Sequence, residues 1–218
     1  MTTPRLSGPT PGSTSSEFSL LARCLAEDGY VIVPHFLPHE ISEPLVEEIA
    51  TLWHDGTYRH AAVGRGNDKQ VRAEIRSDHV RWIDPGAITA AQRGYWRRME
   101  ALRLALNHEL FLGLFDFEAH LACFPSGAHY KAHLDRHRQS EDRIISTVIY
   151  LNPEWNSDDG GILRLYTDRV AGVEGPFTDV IPEFGKLVLF FSGDFWHEVL
   201  PAHRERHSIT GWFRRRPT

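Results

Sequence analysis

The chain of 218 residues is 41% hydrophobic and 24% charged with a formal net charge of -5, which supplies the apolar content for one domain with its own core and argues against a general nucleic-acid binder. Only Cys24 and Cys123 occur, too few for a disulfide framework, and no apolar run approaches the roughly 18 residues of a membrane span. With no charged-then-apolar leader in the sequence, a soluble protein of a reducing compartment is predicted, most simply the cytoplasm.

Residues 1–16, MTTPRLSGPTPGSTSS, have almost nothing to bury and are predicted to be a flexible tail. A helix is expected next, with Ser16 as N-cap, apolar periodicity through Leu20, Leu21, Cys24 and Leu25, and a stop at Gly29. YVIVPHFL then reads as a strand, and a second helix runs from Pro38 to about Trp53, with Pro44 near its start. The polar stretch GRGNDKQVRAEIRSD, residues 64–78, reads as a mobile loop between short strands. A third helix is predicted from about Thr89 to Leu110, where apolar residues recur every three or four positions.

From residue 117 the pattern turns to β-like runs: FEAHLACF, ISTVIYLN, GILRLY, KLVLFFS, HEVLPA and HSITGWFR, mostly separated by Gly, Pro, Asn or Asp. The closing FRRRPT reads as a solvated tail. Helices first and strands afterwards predict an α+β layout, in which the strands form a barrel or jelly roll and the helices cover one sheet. One domain over residues 17–216 is expected, with helical support at 17–110 and the β part at about 117–214. No internal repeat occurs.

The segment HYKAHLDRH, residues 129–137, carries the chemistry. His129, His133 and His137 share a face on a helix, where they could form a zinc site; His133 and Asp135 share a side on a strand. Pro125 and Gly127 before the segment and the β-branched RIISTVIYL after it favour the strand. His133 and Asp135 then reach one ion together, with His129 and His137 as bystanders. His197 in FWHEVLPAHRERHSITGW is the candidate third ligand. Two histidines and one carboxylate leave three adjacent positions open on a six-coordinate iron(II), a catalytic rather than a structural arrangement.

His133-x-Asp135, Tyr-Leu-Asn at Tyr150, Gly-Gly-x-Leu-Arg at Leu163, His197 and Arg206 nine residues later together resemble the signature of iron(II) and 2-oxoglutarate dependent dioxygenases. More narrowly they resemble the prolyl 4-hydroxylase superfamily, including the compact oxygen-sensing-type prolyl hydroxylases and their bacterial relatives, over about Arg76 to Phe213. The resemblance implies a double-stranded β-helix, a jelly roll of cupin-like form, with the N-terminal helices packed on one sheet. It implies iron(II) held by His133, Asp135 and His197, with 2-oxoglutarate and dioxygen as cosubstrates, and leaves ascorbate open as an auxiliary. Arg206 and Tyr150 would take the far carboxylate of 2-oxoglutarate, whose other end would chelate iron; Leu163 would line that pocket and Trp212 would pack near the metal. Arg76 and Asp78 resemble a family Arg-x-Asp that contacts the peptide substrate. A carboxylate at Asp135, where related halogenases have a small residue, implies hydroxylation. Phe124 departs from the pattern, since the oxygen-sensing enzymes carry a tyrosine there. The implied reaction is hydroxylation of a prolyl residue of a protein, with succinate and CO2 released. The same chemistry on a free amino acid or other small molecule, and a barrel that binds without turnover, are the competing readings. No nucleic-acid or membrane partner is expected.

Overall fold

The structure is a computed structural model in which residues 14–62, 70–135 and 142–216 are described. Three helices precede most of the strands: α1 (Thr14–Asp28), α2 (His39–His54) and α3 (Ala90–Leu110). The first begins at Thr14, so Ser16 lies inside it rather than capping it, and the boundary expected at residue 16 falls late. Burial of Phe18, Leu21 and Leu25 stabilises the helix, while its first turn is a loosely specified end. Thr89 caps α3 as its sequence suggests, its hydroxyl accepting from the Gln92 N–H at 3.1 Å. Among the described residues no helix is long and apolar enough to cross a membrane.

Among the described residues eleven strands form two antiparallel sheets: β1 (Tyr30–Val33), β2 (Arg59–His60), β3 (His79–Trp82), β4 (Asp116–Phe124), β5 (Tyr130–His133), β6 (Arg143–Tyr150), β7 (Leu163–Tyr166), β8 (Phe177–Val180), β9 (Leu187–Phe191), β10 (His197–Val199) and β11 (Arg206–Arg214). The larger sheet runs β1-β9-β6-β11-β4-β3-β2, and the smaller runs β5-β10-β7-β8. This is the predicted α+β class.

Alternation along the central strands explains the layering. Phe117, Ala119, Leu121 and Cys123 of β4, Ile145 and Ile149 of β6, and Ile209 and Phe213 of β11 face the helices in one apolar cluster. Their neighbours Ala122, Phe124, Val148 and Tyr150 face the smaller sheet, where they meet Leu163, Leu165 and Phe195. A sheet covered on both faces needs apolar residues at successive positions, so these strands read as continuous runs. At Gly211 a Cβ would come within 2.5 Å of the Phe117 ring, which accounts for glycine in the middle of β11.

Three details depart from the sequence reading. The strand β8 is absent from the predicted runs because only Val180 of its four residues is buried. Residues 64–69 of the expected mobile loop lie outside the described residues, but the part after them is tied down: Ser77 N–H donates to His129 O at 3.0 Å and Lys131 N–H to Ile75 O at 2.9 Å, with a bridge between Arg76 and Tyr130. The short strands expected on either side are β2 and β3. Nor are the terminal arginines simply solvated. Arg214 ends β11 with two bonds to Asp116, at 2.9 and 2.7 Å, Arg215 Nε donates to Leu112 O, and Arg216 lies over the Phe115 ring at 4.2 Å. Cross-strand carboxylates and an exposed aromatic ring supply partners that a linear reading does not reveal.

Candidate metal centre and cosubstrate pocket

His133 closes β5 and His197 opens β10, and these two residues are direct antiparallel partners, so the sheet ladder itself brings their rings to a centroid distance of 4.2 Å. Asp135 follows two residues after His133. One ligand atom from each of the three lies within 4.8 Å of the others, with Asp135 Oδ1 at 3.6 Å from His133 Nε2 and Oδ2 at 3.7 Å from His197 Nε2. Among the described residues no other such group occurs.

The imidazoles are oriented by their own backbone. His133 Nδ1 is 2.8 Å from the Lys131 carbonyl and His197 Nδ1 is 3.1 Å from the Phe195 carbonyl. An N–H at Nδ1 donates to each oxygen and leaves the Nε2 lone pair toward Asp135, the tautomer a metal requires. Burial pushes the His197 imidazole down to about 4, with His133 acting in the same direction, so it is neutral at pH 7. At Asp135 burial works against the charge, but the neighbouring His197 and His133 and the hydrogen bond from the Ser146 hydroxyl outweigh it and hold the carboxyl far below its usual range. Two neutral nitrogens and one carboxylate oxygen, with no thiolate, suit iron(II). His129 does not join them; its ring lies near Ser77 Oγ at 3.4 Å. His137 lies outside the described residues. The helical zinc reading fails because β5 is a strand.

The second half of the site is a buried cation. Arg206 is 1% exposed and starts β11 opposite Phe124 of β4. Its guanidinium carbon is 4.9 Å from the ring centroids of both Phe124 and Tyr150. Nε donates to Gly161 O at 2.8 Å, and Nη1 reaches Ser208 Oγ at 3.5 Å. No carboxylate forms an ion pair with it among the described residues, although an isolated buried charge is costly. The adjacent Tyr150 hydroxyl is buried with no hydrogen-bond partner, and burial pushes it up to about 12, so it remains a donor. Arg206, His133, Asp135, His197 and Leu163 all line one cavity of about 830 Å³. A buried guanidinium beside an unpartnered phenol, in one cavity with a three-donor metal cluster, fits a small dicarboxylate that bridges the two.

Gly161 makes this arrangement possible. Its φ is +61°, and a Cβ there would lie 2.7 Å from Arg206 Cδ. Gly161→Ala is therefore expected to cost about 1–2 kcal/mol in the left-handed region. It should also displace the guanidinium, which a lowered melting temperature together with a several-fold rise in half-saturating 2-oxoglutarate would register.

The family model of the 2OG-Fe(II) oxygenase superfamily matches residues 119–214, the stretch from β4 to the end of β11 that carries every element of this site except the Arg76 segment. A solved prolyl-4-hydroxylase from Pseudomonas putida is 44% identical, covers 91% of this chain and 99% of its own, and superposes with a TM-score of 0.81. The chain belongs to the 2-oxoglutarate and iron(II) oxygenase superfamily, in its prolyl hydroxylase branch. Similar too is a prolyl hydroxylase from Trichoplax adhaerens solved with a hypoxia inducible factor peptide fragment, at 26% identity, 94% coverage of each chain and a TM-score of 0.81. Human Egl nine homolog 1 is 29% identical over 201 residues, 87% of this chain and 45% of that protein. The Caenorhabditis elegans hypoxia-inducible factor prolyl hydroxylase is 30% identical over 202 residues, 88% of this chain and 27% of that protein. The chain thus spans less than half the length of these two curated relatives.

Within this chain Arg76 and Asp78 form a bidentate pair, Nε to Oδ1 at 2.7 Å and Nη2 to Oδ2 at 2.6 Å. The pair is not a surface bridge: Asp78 is 1% exposed, and both residues line the cavity. Arg76 also covers the Tyr130 ring at 4.2 Å, and Tyr130 stacks on His133 at 3.6 Å. Arg76→Ala would leave the Asp78 charge buried alone, so a loss of about 3 kcal/mol of stability is expected, seen as a lower urea midpoint, whereas a surface pair would change it by less than about 1 kcal/mol. Trp212 lines the same cavity, its ring 6.1 Å from Trp82 and 5.4 Å from His120, and it pairs across the sheet with Ser146. Tyr130, His120, Trp82 and Ser146 are absent from the sequence-predicted site. For Ser146 a signal existed, since it shares the period-two face of Val148 and Tyr150.

Proposed function

We propose that this chain is an iron(II)- and 2-oxoglutarate-dependent dioxygenase that hydroxylates a prolyl residue of a protein, releasing succinate and CO2. One observation carries the reading: the buried Arg206 guanidinium lines the same cavity as His133, Asp135 and His197, and the Tyr150 ring with its unpartnered hydroxyl lies beside that guanidinium at 4.9 Å. His133 Nε2, His197 Nε2 and a carboxylate oxygen of Asp135 hold the iron. The two guanidinium nitrogens of Arg206 not bonded to Gly161 take the far carboxylate of 2-oxoglutarate, and Tyr150 donates its hydroxyl to the same group. Leu163 and Val148 keep water from the pocket between them. Iron(II) with 2-oxoglutarate and dioxygen supplies the oxidising power for a C–H bond; the chain supplies position and exclusion.

The rest of the cavity accommodates the substrate. Trp82, 50% exposed, stands with Trp212 and His120 along the cavity; burial pushes His120 down to about 3, so its ring is neutral, while Arg143 lies over the Trp212 ring at 3.6 Å. Flat aromatic faces suit the C–H-rich pyrrolidine ring of a proline. Arg76 and Asp78 would contact the peptide backbone beside it. The likeness to a hydroxylase solved with a peptide supports a protein substrate. The two facing sheets correspond to a double-stranded β-helix, set with the helices in one domain over residues 17–216, in a protein of the cytoplasm.

The test is succinate release from 2-oxoglutarate with iron(II) in air, measured with proline-containing protein fractions and separately with a small-molecule fraction of a host extract. Succinate that rises with protein and a proline carrying one added oxygen support the proposal. Stimulation by the small-molecule fraction alone transfers the chemistry to a metabolite, and no succinate under any condition leaves a binding barrel.

A further inference from the structure

Of the three clustered metal-site residues, His133 and His197 sit in paired strands, while Asp135 lies beyond the end of β5 in a bend. Two serines of the opposite sheet hold its side chain. Ser146 Oγ on β6 donates to Asp135 Oδ2 at 2.6 Å, and the Ser192 hydroxyl, just past β9, is 2.8 Å from Ser146 Oγ. Both serines are fully buried. A hydroxyl has a single proton to donate; Ser146 spends its proton on the carboxylate, so Ser192 is the donor in the second bond. The chain of bonds is directional, Ser192 to Ser146 to Asp135. Ser192 is itself anchored by its backbone N–H on Ile144 O at 3.0 Å, and Ser146 by its place between β9 and β11.

We infer that Ser146 and Ser192 form a two-hydroxyl relay that fixes Asp135 as a one-oxygen metal ligand, both acting as positioning residues, Ser192 through Ser146. The inference rests on the metal-centre reading above. Two imidazoles and one carboxylate oxygen would leave room on a metal for its cosubstrates. A carboxylate free to turn and bind through both oxygens would take up some of that room. Holding Oδ2 on Ser146 presents Oδ1 alone. Aligned hydroxyls strengthen each other at low dielectric, so the outer serine contributes although it touches neither the carboxylate nor the metal.

Cobalt(II) titration under nitrogen, read by visible absorption, tests this without turnover. Ser146→Ala is expected to weaken Co(II) binding about 10–100-fold and to change the shape and intensity of the absorption as the carboxylate turns. Ser192→Ala should weaken it about 3–10-fold in the same spectral direction, and Ser146→Thr should restore the wild-type spectrum. The melting temperature of each metal-free variant reports folding separately. Unchanged affinity and spectrum in both alanine variants overturn the relay, as does a loss confined to metal-free stability. If Ser146→Ala does not fold, Ser192→Ala alone decides by the same two criteria. A wild-type protein that binds no Co(II) overturns the metal-centre reading and the relay with it.

Discussion

Asp135→Ala is expected to abolish turnover and to weaken metal binding by more than about 100-fold, since losing even an outer partner of a ligand typically costs 10–100-fold. Asp135 is the one anion in the ligand cluster, and the Ser146 hydroxyl bonded to it has no comparable substitute. Without it two neutral imidazoles face a divalent cation. The variant should still fold, because the ladder between His133 and His197 and the cores on either side of the large sheet do not depend on this side chain. Isothermal titration with Mn(II), alongside a succinate assay, separates loss of metal from loss of fold. A variant that retains wild-type metal affinity would remove Asp135 from the ligand set.

Arg206→Ala should raise half-saturating 2-oxoglutarate by about 30-fold or more, equivalent to about 2 kcal/mol, the scale on which one partner of a buried charge-assisted pair acts. Arg206→Lys should recover little of this, because a point charge cannot reproduce the planar fork. The two hydrogen-bond partners of the guanidinium among the described residues, Gly161 O and Ser208 Oγ, are neutral, so the free protein bears a buried cation with no ion-pair partner among them. It follows that thermal stabilisation by added 2-oxoglutarate, large in the wild type when the ligand exceeds its dissociation constant many times over, should nearly vanish in the alanine variant. A melting shift equal to that of the wild type would place the cosubstrate carboxylate elsewhere.

Much of this site was legible because its chemistry is written in local spacing and in strand periodicity. His133 and Asp135 two apart could be read as same-side strand neighbours, and the β-branched run after them fixed the period. Arg206 and Tyr150 came through resemblance alone, and their physical reason, a buried cation beside an idle hydroxyl, emerges only when β11 pairs with β4 and β6. The relay residue Ser192 was illegible in principle: 46 residues separate it from Ser146, and nothing in FFSGDFW marks a serine whose hydroxyl meets one on the neighbouring strand. The same limit hid the anchoring of residues 70–78. Polar composition suggested a loop, but backbone bonds to β5, which composition does not encode, hold that stretch in place. Arg76 and Asp78 were legible as a pair, whereas their burial and their link to His133 through Tyr130 were not.

On the proposed reading, a metal on His133, Asp135 and His197 works with a dicarboxylate on Arg206 to oxidise a prolyl C–H bond. The most direct measurement is the ratio of succinate formed to hydroxyproline formed, in 18O-labelled dioxygen with a proline-containing protein substrate isolated by its stimulation of turnover. One succinate per hydroxyproline, with the label in the new hydroxyl, is the predicted result. Succinate without labelled hydroxyproline, or label delivered to a different residue, would contradict it.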